Sequence, residues 1–188
     1  MFFTFIEIIY LVIMVLAIGY VFSGFIQRPV KDPLERVLGQ KKRFDWQNIK
    51  YAMLIAAPGI VLHELAHKFV ALGFGLSANF FIWPTGLILG IVLKLIGSGF
   101  ILLAPGYVSI IGATPFQSAI TSLAGPLING ALWLGCYLTL KYKKKLLRKQ
   151  AIFLGFTGQI NKWLFIFNMI PIPPLDGSKV LFYLIGII

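Results

Sequence analysis

The stretch YAMLIAAPGIVLHELAHKFVALG, residues 51–73, decides how this chain must be read. As a helix rising 1.5 Å per residue it spans about 34 Å, enough to cross a bilayer. Within it lie both histidines of the chain, in the run His63-Glu64-Leu65-Ala66-His67. Four residues apart on a helix, the two imidazoles share one face, with their Cβ atoms about 5–6 Å apart. Glu64 is one of only six acidic residues, and an ionisable group inside such a span costs about 2.5–3.5 kcal/mol on insertion scales. The Pro58-Gly59 pair is expected to loosen the first turns of this helix.

The rest of the chain has the same character. Of 188 residues, 59% are hydrophobic and 12% charged, against about 45–50% and about 25% in soluble domains. This excludes a water-soluble globule, a disordered chain and a disulfide-stapled module. Phe2 to Phe25 forms a first span, retained because it lacks the basic start and cleavage site of a signal peptide. Glu7, near its end, is expected to reach toward the interface. Gln27 to Lys50, with Pro29 and Pro33, is expected to be a surface loop. Asn79 to Trp83 is short, aromatic and bounded by Pro and Gly, which predicts an intramembrane or re-entrant strand. Leu87 to Ile111, interrupted by Lys94 and Pro105-Gly106, fits either a bent span or an intramembrane hairpin. Ala119 to Leu140 is a clean span, and Ala151 to Ile188 is apolar except where prolines break it at 171, 173 and 174. The expected fold is an all-α integral membrane protein, a polytopic helical bundle of one domain over 1–188. Its N-terminal span covers 1–26 and its catalytic core 51–182.

Seventeen Lys and Arg against six Asp and Glu give a net charge of +11. Thirteen of them gather in two blocks, Arg28 to Lys50 and Lys141 to Lys149, beside apolar runs. Such blocks read as contacts with anionic lipid headgroups and as topology signals, not as a nucleic-acid surface, since no nucleic-acid motif accompanies them. Cys136 is the sole cysteine, a packing residue that excludes a cysteine metal cluster.

The His-Glu-x-x-His spacing has a mechanical logic: two neutral imidazoles bind zinc and the glutamate takes a proton from the attacking water. A catalytic zinc needs a third protein ligand, and no histidine remains. Glu7 is remote and Asp32, Glu35 and Asp45 lie in the polar loop, so elimination leaves Asp176. Irregular backbone at membrane depth, as Pro171, Pro173, Pro174 and Gly177 impose beside it, persists only when buried in protein or lining a wet cavity. The plainer role for Asp176 is to cap the last helix, and the two roles are compatible.

HELAH in a span, followed far downstream by Asn168-x-x-Pro171-x-Pro173-x-Leu175-Asp176-Gly177, resembles the site-2 protease family of intramembrane zinc metalloproteases. Ala124-Gly125-Pro126-Leu127-Ile128-Asn129 and Leu103-Ala104-Pro105-Gly106-Tyr107-Val108 are similar to two further family segments. The resemblance covers about residues 50 to 182. It implies hydrolysis of peptide bonds in membrane-spanning protein substrates, one zinc ion per chain held by His63, His67 and Asp176, and Glu64 as general base. It also implicates Asn168 near the active site, steadying the substrate carbonyl or the oxyanion; its plainer role is to satisfy backbone freed by the prolines. Asn79 to Trp83 would then offer a strand edge to an unwound substrate, or else serve as an aromatic interfacial anchor.

Two other readings fit the residues less well. A divalent-metal transporter would need more intramembrane polar groups, and a non-catalytic zinc-binding relative would have no use for Glu64. The expected location is the cell membrane, as a multi-pass protein. Orientation stays open: the positive-inside rule puts both basic blocks in the cytoplasm. The family resemblance instead implies a zinc near the cytoplasmic face, yet His63 stands twelve residues, roughly 18 Å, beyond Tyr51 at the basic end.

Overall fold

The first helix, α1 (Phe5–Phe22), starts at a capping box: Thr4 Oγ1 accepts from Glu7 N at 3.3 Å, and the Glu7 carboxylate accepts from Thr4 N at 2.8 Å. The computed structural model describes residues 2–29, 44–98 and 105–186. Most of the expected surface loop, and most of the first basic block, lies outside the described residues.

Helix α2 (Trp46–Gly73) begins five residues before the span read from sequence, because Asp45 caps it, accepting from Gln47 N at 2.9 Å and Asn48 N at 3.3 Å. The helix runs unbroken through Pro58. Instead of loosening it, the Pro58-Gly59 pair permits close packing, since a Cβ at Gly59 would lie 2.6 Å from Asn161 Oδ1. Gly75, at φ +75°, then turns the chain through a left-handed conformation into strand β1 (Ser77–Ile82).

Pro84 opens a short helix, α3 (Pro84–Leu95), as first-turn proline does well. Twelve residues make about 18 Å, too short to span a bilayer. The chain comes back as β2 (Gly106–Ile111), antiparallel to β1 with Phe80 opposite Val108. The described residues of 87–111 are therefore a short helix and a strand and not one bent helical span, while 99–104 lie outside the described residues. The Gly-Tyr-Val-Ser-Ile-Ile run is β-favouring and finds in β1 a partner for the backbone groups it would otherwise leave bare.

Helix α4 (Pro115–Tyr142) starts at a second capping box, Thr114 with Gln117. Helix α5 (Arg148–Asn168) returns along it after a short basic link, and α6 (Asp176–Leu184) closes the described chain. Neighbours in the order α1, α2, α4, α5 run antiparallel. Three of these helices, α1, α2 and α4, are long and apolar enough to cross a membrane.

The distribution of side chains is that of a protein dissolved in lipid. Phe5, Leu54, Leu127 and Leu134 are exposed on the helices, while Glu7, His63, Glu64, His67, Lys68, Asn129 and Asn161 are buried. Glu7 does not reach the interface: it is 2% exposed and ion-paired with Lys68. Bare charge in hydrocarbon is costlier than charge paired inside the bundle, so it turns inward.

Two glycines give a paired test of this packing. Gly106→Ala places a Cβ 2.6 Å from the Phe80 ring and 2.8 Å from the Phe81 carbonyl, whereas Gly135 in α4 has nothing within 4 Å. Thermal unfolding in detergent should show Gly135→Ala stabilised by about 1 kcal/mol and Gly106→Ala destabilised.

Candidate metal centre

His63 and His67 lie in the second half of α2 and face α4, where Gly125 gives them room. A Cβ at Gly125 would lie 2.4 Å from His67 Nε2 and 2.7 Å from His63 Cε1. Both rings are buried, 7% and 8% exposed. Each is held by its other nitrogen: His63 Nδ1 lies 2.6 Å from Asn129 Oδ1, and His67 Nδ1 lies 2.7 Å from the Thr121 carbonyl.

These contacts settle the tautomers. A carbonyl can only accept, so His67 Nδ1 carries the hydrogen. The Asn129 amide is turned by its own donations, from Nδ2 to the Gly59 carbonyl at 3.0 Å and to Asn161 Oδ1 at 2.8 Å. Its Oδ1 therefore faces His63, whose Nδ1 donates as well. In the neutral rings both Nε2 atoms are left with lone pairs, 3.1 Å apart.

Asp176 completes the set. Pro171, Pro173 and Pro174 keep 169–175 out of a helix, and α6 resumes with Asp176 as its first helical residue, Leu175 standing at the cap position. A Cβ at Gly177 would lie 2.5 Å from the Met169 carbonyl, so glycine lets α6 nestle against the end of α5. The carboxylate is thereby aimed away from a capping role: Oδ2 lies 3.2 Å from His63 Nε2 and 3.3 Å from His67 Nε2.

Three electron-pair donors thus face one another with a cation-sized gap between them. Two donors about 2.05 Å from a tetrahedral zinc are about 3.3 Å apart, and the three separations here are 3.1, 3.2 and 3.3 Å. Two imidazoles and a carboxylate also suit zinc chemically, with a coordination position to spare. The residues present fit the ion.

Glu64 is 8% exposed and lies within electrostatic reach of His63, Asp176 and Lys179. Asn168 ends α5, and its Nδ2 donates to the Leu164 carbonyl at 3.0 Å, four residues back in its own helix and not one of the carbonyls freed by the prolines. No hydrogen bond among the described residues ties it to the ligand set. Asn129, Asn161 and Thr121 escaped sequence reasoning as site residues. The signal available was the cost of an amide side chain in an apolar span, which makes Asn129 a functional candidate by default.

Comparison with known proteins points to one peptidase family. The model of peptidase family M50 matches residues 138–188, the segment holding Asn168 and Asp176. A protein of Methanocaldococcus jannaschii named "putative zinc metalloprotease" is 40% identical over 166 residues, covering 84% of this chain and 85% of the relative. A Synechocystis protein of the same description is 34% identical over 132 residues, covering 69% of this chain and 30% of the relative.

Orientation of the rings by carbonyl oxygens should be measurable as metal affinity. Asn129→Leu and Gly125→Ala are each expected to lower zinc affinity by about 10–100-fold, read as zinc retained against a competing chelator. Unchanged retention in Asn129→Leu would show that His63 needs no such partner.

Proposed function

This chain belongs to peptidase family M50, the site-2 protease family, and is a metalloprotease; from that premise we propose that it hydrolyses peptide bonds of membrane-spanning proteins inside the bilayer. The observation that carries the reading is the convergence of His63, His67 and Asp176 beside a buried Glu64, in a bundle whose outer surface is apolar.

A zinc ion held by the three ligands, one per chain, would polarise the scissile carbonyl and lower the pKa of the attacking water. The chain's own residues do the rest. Glu64 accepts the proton of that water as its oxygen adds to the carbonyl carbon, then delivers it to the departing amine nitrogen. Asn129 and Thr121 hold the imidazoles still, so that the ligand set does not reorganise as charge develops. The second N–H of Asn168, beyond the one given to Leu164, is available to steady the substrate carbonyl.

A helical substrate hides its peptide bonds and must be unwound and held extended, for which a strand edge is suited. In the β1–β2 pair Trp83 N donates to the Pro105 carbonyl at 3.1 Å, so by alternation residues 77, 79, 81 and 83 point their backbone groups at β2. Ala78, Phe80 and Ile82 point outward on β1, as do Gly106, Val108 and Ile110 on β2. Phe80 N is already bonded, to Glu7 Oε1 at 2.7 Å. Among the described residues no hydrogen bond engages the outward groups of β2. The substrate therefore pairs along β2, and not along the 79–83 segment for which the sequence offered a strand edge or an interfacial anchor as alternatives.

The basic link after α4 stands about 30 Å along that helix from Thr121, at the end of the bundle remote from the metal ligands. There it meets anionic headgroups, with the cell membrane as the proposed location and no nucleic-acid partner.

Glu64→Gln protein should keep its zinc yet cleave a transmembrane substrate about 10²–10⁴-fold more slowly; cleavage at the wild-type rate would remove Glu64 as the base. Val108→Pro deletes an outward N–H that the sheet does not use, at an edge where proline is tolerated. A normal fold with lost cleavage is expected, and undiminished cleavage would take the substrate off β2.

A further inference from the structure

Among the described residues, the most heavily committed carboxylate outside the metal centre belongs to Glu7. Oε1 accepts from Lys68 Nζ and from Phe80 N at 2.7 Å, and Oε2 accepts from Thr4 N at 2.8 Å and Thr4 Oγ1 at 3.2 Å. Donors from three elements meet on one side chain: its own helix start, α2 and β1. Lys68 and Phe80 are each 1% exposed. The ammonium also lies 5.0 Å from the centre of the Phe3 ring.

Two features make this more than a buried ion pair. Lys68 directly follows the ligand His67, so whatever fixes Lys68 fixes the rotation of the helix that carries both imidazoles. Phe80 N is one of the outward backbone donors of β1, and an acidic side chain there takes the place that the carbonyl of a further strand would take. A buried ion pair is also a poor source of stability, since apolar residues of like volume commonly do as well or better. Its retention calls for a role that apolar packing cannot supply.

We infer that Glu7 is a positioning residue of the proteolytic site: its carboxylate ties α1, the metal-bearing helix and the outer edge of β1 together, and by taking the central outward N–H of β1 it directs substrate pairing to β2. This rests on the proteolytic reading. The first helix thereby occupies the middle of the outer β1 edge, and the distance from the β2 edge to the metal ligands is set by the tie. A substrate strand meets one edge in one register, and one peptide bond is presented to Glu64.

The test compares wild type, Lys68→Met and Glu7→Met/Lys68→Met on a transmembrane substrate, with cut positions read by mass spectrometry alongside zinc content and amide exchange over Ser77–Ile82. In Lys68→Met the Glu7 side chain still accepts the Phe80 N–H but no longer holds the metal-bearing helix, so the same bond is cut while kcat falls by at least about threefold. The double variant should unfold no earlier than wild type and keep its zinc. Its Phe80 amide should exchange at least about tenfold faster, its kcat should fall by at least about tenfold, and new cuts should appear one or two residues away. A stable double variant that cuts the same bond at the same rate overturns the proposal. Should the double variant not fold, exchange in the wild type decides: Phe80 must be as protected as the β1 amides bonded to β2, and a fast Phe80 amide overturns it. If wild type cuts no substrate, the proteolytic reading fails, while exchange still reports on the Glu7 tie.

Discussion

Two imidazole nitrogens and a carboxylate oxygen, all with lone pairs and little water around them, face one another across about 3 Å. In a low-dielectric interior such an arrangement is repulsive unless a cation sits among the donors. The Nδ1 sides of both rings are turned away from this centre, to Asn129 and Thr121. Everything else in the fold serves to hold these three groups in that relation.

The support comes in two kinds. Where backbones must approach, the chain uses glycine: Gly125 under the imidazoles, Gly59 against Asn161 and Gly177 against the end of α5. Where orientation must be fixed, it uses buried amides and charge in closed sets. Asn161 Nδ2 donates to the Thr157 carbonyl at 2.8 Å while its Oδ1 receives Asn129, so the chain of partners from α5 through α4 to His63 is satisfied at each step. Half-satisfied polar networks are costly in an apolar interior, and complete ones select a single arrangement.

The same economy governs the membrane-facing design. Lys94 turns back to the end of α1, bonding the Tyr20 carbonyl and, at 2.8 Å, Ser23 Oγ, so a charge in a short apolar helix caps open carbonyls. Glu7 is likewise drawn inward, to Lys68. Sequence distance conceals both pairings, 74 and 61 residues apart, and a charge near the end of a span reads as interfacial until its partner is seen.

The sequence alone was enough for the solvent and for three of the spans, and it pointed to the candidate ligands. Bilayer thickness and the helical repeat turn residues 51–73 into a membrane helix with His63 and His67 on one face, and the scarcity of acidic residues isolates Asp176. Local rules also placed the first strand, since Asn79 to Trp83 is bounded by Pro and Gly. What they could not reach were relations between distant segments. The second strand exists because β1 offers it partners; Pro58 leaves its helix intact, and Gly59 beside it packs against α5. Asn129 orients His63, and Glu7 meets Lys68 and Phe80, only once the helices are side by side. Hydrogen bonds and close packing are short-ranged, so which groups become neighbours is a property of the assembled bundle and of no single stretch of chain.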